Sequence, residues 1–306
     1  MQKTISRRCF SHRILQGATV LAGGSLLRSR ARAIEPFKRP GPPRLLLSLA
    51  AYSFRDYLQH KDPAKRIDLF QFVDFCAEYG CVGTEVTSYY FPANFTHDYL
   101  IRLRRHAFLR GVDISGTAVG NDFTRPKGAE HDKEIALVKK WVDHAAVLGA
   151  PHIRVFAGSA KDVSPAEAKQ LSIEALEECA EYAGTKGIFL GLENHGGIVA
   201  EADGLLEIVR AVKSPWVGVN LDTGNFHTAD PYGDIAKCAP YAVNVQVKTE
   251  LAPRGQKNQP ADLSRLIKIL RDANYQGYVA LEYEAAEDPW IAVPRALKEL
   301  KGLLND

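Results

Sequence analysis

The sequence predicts an α/β chain closed into a single (β/α)8 barrel, and three observations carry that prediction. Short apolar runs alternate with longer amphipathic stretches from about residue 45 to the C-terminus. The last four runs, residues 187–193, 217–222, 242–246 and 278–282, each stop on a side chain with a metal-binding oxygen: Glu193, Asp222, Gln246 and Glu282. No glycine-rich phosphate loop follows the first run, where Ala51-Tyr52-Ser53-Phe54-Arg55 stands instead, so a doubly wound open sheet is the weaker alternative.

Taken in order, strands are expected to begin near Leu45, Val82, Val112, His152, Ile188, Val217, Ala242 and Tyr278. Amphipathic periodicity places helices at 65–78, 97–110, 133–148, 165–183, 201–212, 261–273 and 289–304, with the weakest signal around 232–238. Eight strand–helix units imply a TIM barrel, whose catalytic residues sit on the loops after the strands. The only Pro-rich stretch, residues 34–44, reads as a linker into a barrel spanning 45–306.

Residues 1–33 read as a twin-arginine export signal. Arg7 and Arg8 precede an apolar stretch from Leu15 to Leu27, and Ala31-Arg32-Ala33 supplies a small-x-small cleavage site. The stretch is short for a bilayer span, so the expectation is a periplasmic or otherwise exported protein with no stable membrane insertion after cleavage. The leader holds seven of the 39 Lys and Arg and none of the 36 Asp and Glu. The mature chain is therefore acidic, with a net charge of about −4. Such a surface does not track phosphates, which argues against a nucleic-acid partner. Cys76, Cys81, Cys179 and Cys238 show no zinc-finger spacing and are expected to be buried free thiols.

The four strand-end residues are separated by 29, 24 and 36 positions, matching successive strand–helix units. In a parallel barrel the carboxyl ends of the strands surround one point, so these residues are candidate ligands of a single divalent cation. An all-oxygen set points to Mg²⁺ or Mn²⁺ rather than Zn²⁺.

The segments Leu192-Glu-Asn-His-Gly-Gly197, Leu221-Asp-Thr-Gly-Asn225, Val245-Gln-Val-Lys248 and Leu281-Glu282 resemble the xylose isomerase-like TIM barrels, and the resemblance covers nearly the whole mature chain. In the ketose 3-epimerases of that superfamily a Glu, an Asp, a His and a Glu hold Mn²⁺, Mg²⁺ or Co²⁺. Carried over, the resemblance implies Glu193, Asp222, Gln246 and Glu282 as metal ligands, with Glu193 and Glu282 also the catalytic base and acid pair. Gln246 departs from the pattern by replacing imidazole with an amide. The implied chemistry is isomerisation or epimerisation of a small-molecule sugar by proton transfer through an enediolate. Loss of a β-hydroxyl from the same enediolate, a lyase or dehydratase outcome, is the alternative. An endonuclease IV-like phosphodiesterase fits less well because only His195 and His227 stand at such strand ends, and a non-catalytic sugar-binding barrel is the remaining option.

Arg154, His195, Asn225, His227 and Lys248 are the candidate substrate contacts. Lys248 lies two residues beyond Gln246 and so shares its face of an extended strand. Arg154 is open to a second reading, an ion pair inside the barrel, for instance with Glu85. Tyr52, Phe54 and Trp290 are candidate pocket walls, while His97, His106, His131 and His144 lie on helix patterns and are expected to face solvent or partners. Relatives by resemblance often form dimers or tetramers, so a homo-oligomer is compatible with the sequence.

Overall fold

The computed structural model describes residues 34–305. The expected export signal lies outside the described residues. Eight parallel strands close a barrel in sequential order: β1 (Arg44–Ala50), β2 (Gly83–Thr87), β3 (Asp113–Ala118), β4 (His152–Val155), β5 (Phe189–Glu193), β6 (Val217–Asp222), β7 (Ala242–Val247) and β8 (Gln276–Leu281). Closure comes from β1 pairing with β8, Leu47 opposite Val279 and Leu49 opposite Leu281. Helices fill the connections: α1 (Leu69–Glu78), α2 (His97–Leu109), α3 (Ala129–Leu148), α4 (Pro165–Thr185), α5 (Ala202–Ala211), α6 (Pro231–Cys238), α7 (Leu263–Asp272) and α8 (Pro289–Asn305).

Local chemistry explains where the elements start. The first run stops being a strand at Ala50, and Ala51–Phe54 turns into a 3₁₀ segment that carries Tyr52 over the barrel mouth. Helix α1 begins at Leu69, four residues later than expected, because Asp68 caps it: its carboxylate accepts from Gln71 N at 2.9 Å while Gln71 Oε1 accepts from Asp68 N at 3.0 Å. The weakly signalled helix α6 forms with the same kind of help, Asp230 capping it and Pro231 opening it. Residues 34–43 are a strap rather than a free linker. Phe37 N donates to Pro240 O, and Gln276 Nε2 donates to the carbonyls of Pro40 and Pro42, so the strap crosses the floor of the barrel.

Apolar side chains such as Leu192, Leu221, Val245 and Leu281 are fully buried between strands and helices. The inward positions differ from the usual filling of bulky aliphatic residues. Ser48 meets Ser115 at 2.8 Å, and Glu85 on β2 accepts from Asn244 on β7 at 2.8 Å; β2 and β7 are not sheet neighbours, so this bond crosses the interior. Two register irregularities, at Thr84/Glu85 and Val219/Asn220, fall where the strands deliver Glu85 and Asn220 to that interior. Cys76, Cys81, Cys179 and Cys238 are buried and free, as the sequence predicts. Among the described residues no helix is long and apolar enough to cross a membrane.

Candidate active site

The carboxyl ends of β5 to β8 bring Glu193, Asp222, Gln246, Lys248 and Glu282 to one place, all of them buried. Alternation along each strand explains this: every neighbour in between is an aliphatic residue packed outward against the helices. Glu193 is gripped from both sides, by Arg154 Nε at 2.8 Å from Oε2 and by Asn225 Nδ2 donating to Oε1 at 3.1 Å. Burial pushes its carboxyl up to about 7, Arg154 working against that rise and Glu282 adding to it.

Asp222 is fully buried. Its Oδ1 accepts from Gly224 N at 2.8 Å, whereas Oδ2, 3.2 Å from Lys248 Nζ but off the line of a hydrogen bond, has no hydrogen-bond partner among the described residues. Burial drives this carboxyl well above its ordinary range; Lys248 opposes the shift, and Glu282 and Glu193 reinforce it. Asn194 braces the strand ends by exchanging two hydrogen bonds with the Asp222 backbone, at 2.8 and 2.9 Å.

Lys248 Nζ lies 2.8 Å from Glu282 Oε2 and 2.6 Å from Glu284 Oε2, in addition to its approach to Asp222. Burial would lower the ammonium pKa, but Asp222, Glu282 and Glu284 together hold it well above the ordinary lysine value. For Glu282, burial raises the carboxyl, but Lys248 and Arg154 more than offset this and leave it below the usual range. Gly224 permits the arrangement: a Cβ there would fall 2.5 Å from Lys248 Cγ, so only glycine lets the lysine stem pass.

Gln246 does not present the expected ligand oxygen. Its Oε1 accepts from Asn220 Nδ2 at 2.7 Å, and its Nε2 donates to Glu85 Oε1 at 2.7 Å while lying 3.5 Å from Glu282 Oε1. Asn244 Nδ2 completes the ring by reaching both Glu85 Oε2 and Asn220 Oδ1 at 2.8 Å. The amide orientation follows from its neighbours, since turning it over would set its oxygen against the Glu85 carboxyl and its nitrogen against the Asn220 amide. Burial, reinforced by Glu282, pushes Glu85 up to about 8. Gln246 thus supports the floor of the site.

Arg154 does form an ion pair inside the barrel, but its partner is Glu193 rather than Glu85. Register is the reason. Glu85 pairs with Gly116, and the next β3 residue, Thr117, is level with Ile153, so Glu85 lies a layer below Arg154, beside His152 at 3.9 Å.

Above the carboxylates is a pocket of about 320 Å³, walled by Tyr52, Tyr89, Phe156 and His195. The Arg154 guanidinium stacks over Phe156 at 4.0 Å, and the His195 ring packs against Phe156 at 4.5 Å between centroids. Phe54 and Trp290 were candidate walls but pack against each other and against Phe75, away from this pocket. His227 faces an adjoining polar recess shared with Asn225, Lys248 and Glu284, its Nδ1 3.2 Å from Ala252 O. Of the helix histidines, His97 is exposed and His106 pairs with Asp74 at 2.8 Å, but His131 is buried, its Nδ1 3.1 Å from Arg125 O. Sequence reasoning missed Glu284, Tyr89 and Phe156. Glu284 and Phe156 carry the same signal as Lys248, each two residues past a named site residue.

The donor chemistry fits a divalent cation. Four carboxyl groups, Glu193, Asp222, Glu282 and Glu284, share the site with two cations, Arg154 and Lys248, so full ionisation leaves two negative charges unbalanced. The unpartnered Asp222 Oδ2 is an oxygen of the kind a hard cation takes. No ready-made cluster of three His, Cys, Asp or Glu ligands exists among the described residues, and the Lys248 ammonium contacts both Asp222 and Glu282.

A closed eight-stranded parallel barrel with acidic strand ends defines a class, and the sequence places the chain within it. The chain belongs to the xylose isomerase-like TIM barrel family, whose profile matches residues 73–300. Its fold is similar to a D-psicose 3-epimerase from Clostridium cellulolyticum H10, with TM-score 0.66 and 15% identity over 85% of this chain and 97% of that one. It is also similar to a 3-keto-D-glucoside 4-epimerase from E. coli, with TM-score 0.64 and 15% identity over 85% of this chain and 100% of the other. A probable 3-DHS dehydratase from Bacillus anthracis gives TM-score 0.61 and 18% identity over 85% and 99%. Comparison with curated protein sequences finds no match.

Proposed function

We propose that the protein is a sugar isomerase or epimerase that moves a proton at a carbon beside a carbonyl group. The observation that supports this most directly is that Glu193 from β5 and Glu282, which follows β8, line one pocket together with Arg154 and Lys248. Two carboxyl groups on different walls of a substrate carbon can take a proton from one face and return one to the other, which is epimerisation; return to the neighbouring carbon is isomerisation. Glu282, held ionised by the positive charges around it, accepts the proton, and Glu193, positioned by Arg154 and Asn225, delivers one. The two cations stabilise the charge that builds on the substrate oxygens. Tyr52, Tyr89 and Phe156 cover the apolar faces of the sugar ring and keep water from the reacting carbon.

Glu193, Asp222 and Glu282 are the residues that would hold a divalent ion, Mn²⁺, Mg²⁺ or Co²⁺. When bound, such an ion supplies Lewis-acid stabilisation of developing oxyanion charge. The epimerase activities named for proteins of similar fold support the reading, with the substrate assigned only as a polyhydroxylated carbonyl compound.

The test is incubation of metal-loaded protein with ketoses, aldoses and keto-glycosides in D₂O, followed by NMR. Deuterium entering at the carbon beside the carbonyl without loss of water is the expected result. A dehydrated product moves the assignment to a lyase, and the absence of any exchange across these substrates overturns the proposal.

A further inference from the structure

Resting on the metal reading above, we infer that Lys248 is the protein's own counter-ion for this site, bridging Asp222 and Glu282, the acids that a divalent cation would use. The ammonium nitrogen lies within ion-pair distance of three carboxylates: Asp222 at 3.2 Å, Glu282 at 2.8 Å and Glu284 at 2.6 Å. Asp222 and Glu282 are deeply buried, whereas the Glu284 side chain is 39% exposed at the pocket edge. The three acids therefore form a track from the floor of the site to its rim. An incoming divalent ion and an ammonium cannot share the Asp222 and Glu282 oxygens, since like charges at contact distance repel in a poorly solvated site. Glu284 offers the ammonium a partner at the outer end of the track.

The route is built into the backbone. Gly224 keeps space for the lysine stem, and Lys248 N is fixed by Thr223 Oγ1 at 3.0 Å, so the head group can swing while its root stays in place. Lys248 thus performs two tasks at different times. Without metal it keeps the acidic strand ends from repelling one another, and with metal it moves to Glu284 at the substrate-facing edge.

Manganese affinity, read by calorimetry and by the EPR signal of free Mn²⁺, tests this without any substrate. Lys248→Met removes the competitor and is expected to bind Mn²⁺ at least tenfold more tightly than wild type, while Glu284→Gln, which removes the outer partner, binds it several-fold more weakly. Thermal unfolding provides the control for folding: Lys248→Met melts below wild type without metal and regains most of the difference when Mn²⁺ is added, because the ion replaces the missing positive charge. Unchanged or weaker Mn²⁺ binding by Lys248→Met overturns the inference, as does a melting deficit that Mn²⁺ leaves untouched. Failure of both proteins to bind Mn²⁺, Mg²⁺ or Co²⁺ overturns it together with the metal reading, while deuterium exchange by metal-free protein would still uphold the proton-transfer reading.

Discussion

The two halves of the barrel end in different chemistry. Strands β1 to β4 lead into Tyr52, Tyr89, Arg154 and Phe156, whereas β5 to β8 lead into Glu193, Asp222, Glu282 and Glu284. One half supplies aromatic walls and a cation; the other supplies acids, with Lys248 enclosed among them. The halves meet at two seams. At β4–β5, Arg154 grips Glu193, and at β1–β8, Ser53 Oγ accepts from Tyr283 N at 2.9 Å and donates to Leu281 O at 3.3 Å, fastening the turn that carries Tyr52 beside the strand that carries Glu282. Under the proposed function, the division assigns proton transfer to the second half and shielding of the substrate to the first.

The largest effect should come from the acidic half. Glu193→Gln and Glu282→Gln keep the side-chain shape and remove a proton carrier, so each is expected to lower kcat by about 10³-fold with little change in KM. Comparable loss of kcat from Tyr52→Phe or Tyr89→Phe would break the division of labour.

A smaller effect concerns stability and sharpens the contrast inside the first half. His152 is fully buried beneath Arg154, its ring packed where a Gly116 Cβ would stand, and burial lowers its pKa to about 4, a Ser115 backbone contact only partly opposing the shift. A histidine that titrates near 6.5 when unfolded and about 4 when folded contributes stability that is complete at neutral pH. That contribution falls as the pH drops from 6.5 toward 4, by about 3 kcal/mol in all. Urea unfolding of His152→Gln across this range should show a shallower acid loss than wild type; equal slopes would assign the acid sensitivity to the second half instead.

The smallest effect is expected at the aromatic wall. Phe156→Ala removes the face on which Arg154 and His195 rest, which is worth about 1 kcal/mol and should raise KM roughly fivefold at nearly constant kcat. A fall in kcat as large as that of the carboxylate variants would show that the wall aligns the acids as well.

Much of this was legible because strand periodicity is strict. Once residues 187–193 and 217–222 read as strands, Glu193 and Asp222 had to point inward with their apolar neighbours outward, and Lys248 had to follow Gln246. The same rule, extended one step, reaches Asn220, Asn244, Phe156 and Glu284. Partner choice was not legible. Nothing in the chain order says that Arg154 meets Glu193 while Glu85 lies a layer lower, or that the Gln246 carbonyl is taken by Asn220.

The sequence alone determined which side chains face the barrel axis and at which end they gather, because alternation and strand–helix order are local properties of the chain. The tertiary structure decided which cation stands against which acid and which amide oxygen is taken, because those pairings depend on register and closure among strands far apart in the chain, Gln246 and Glu85 being 161 residues apart. Hydrogen bonds and ion pairs act over about 3 Å, and only the closed barrel fixes positions that finely.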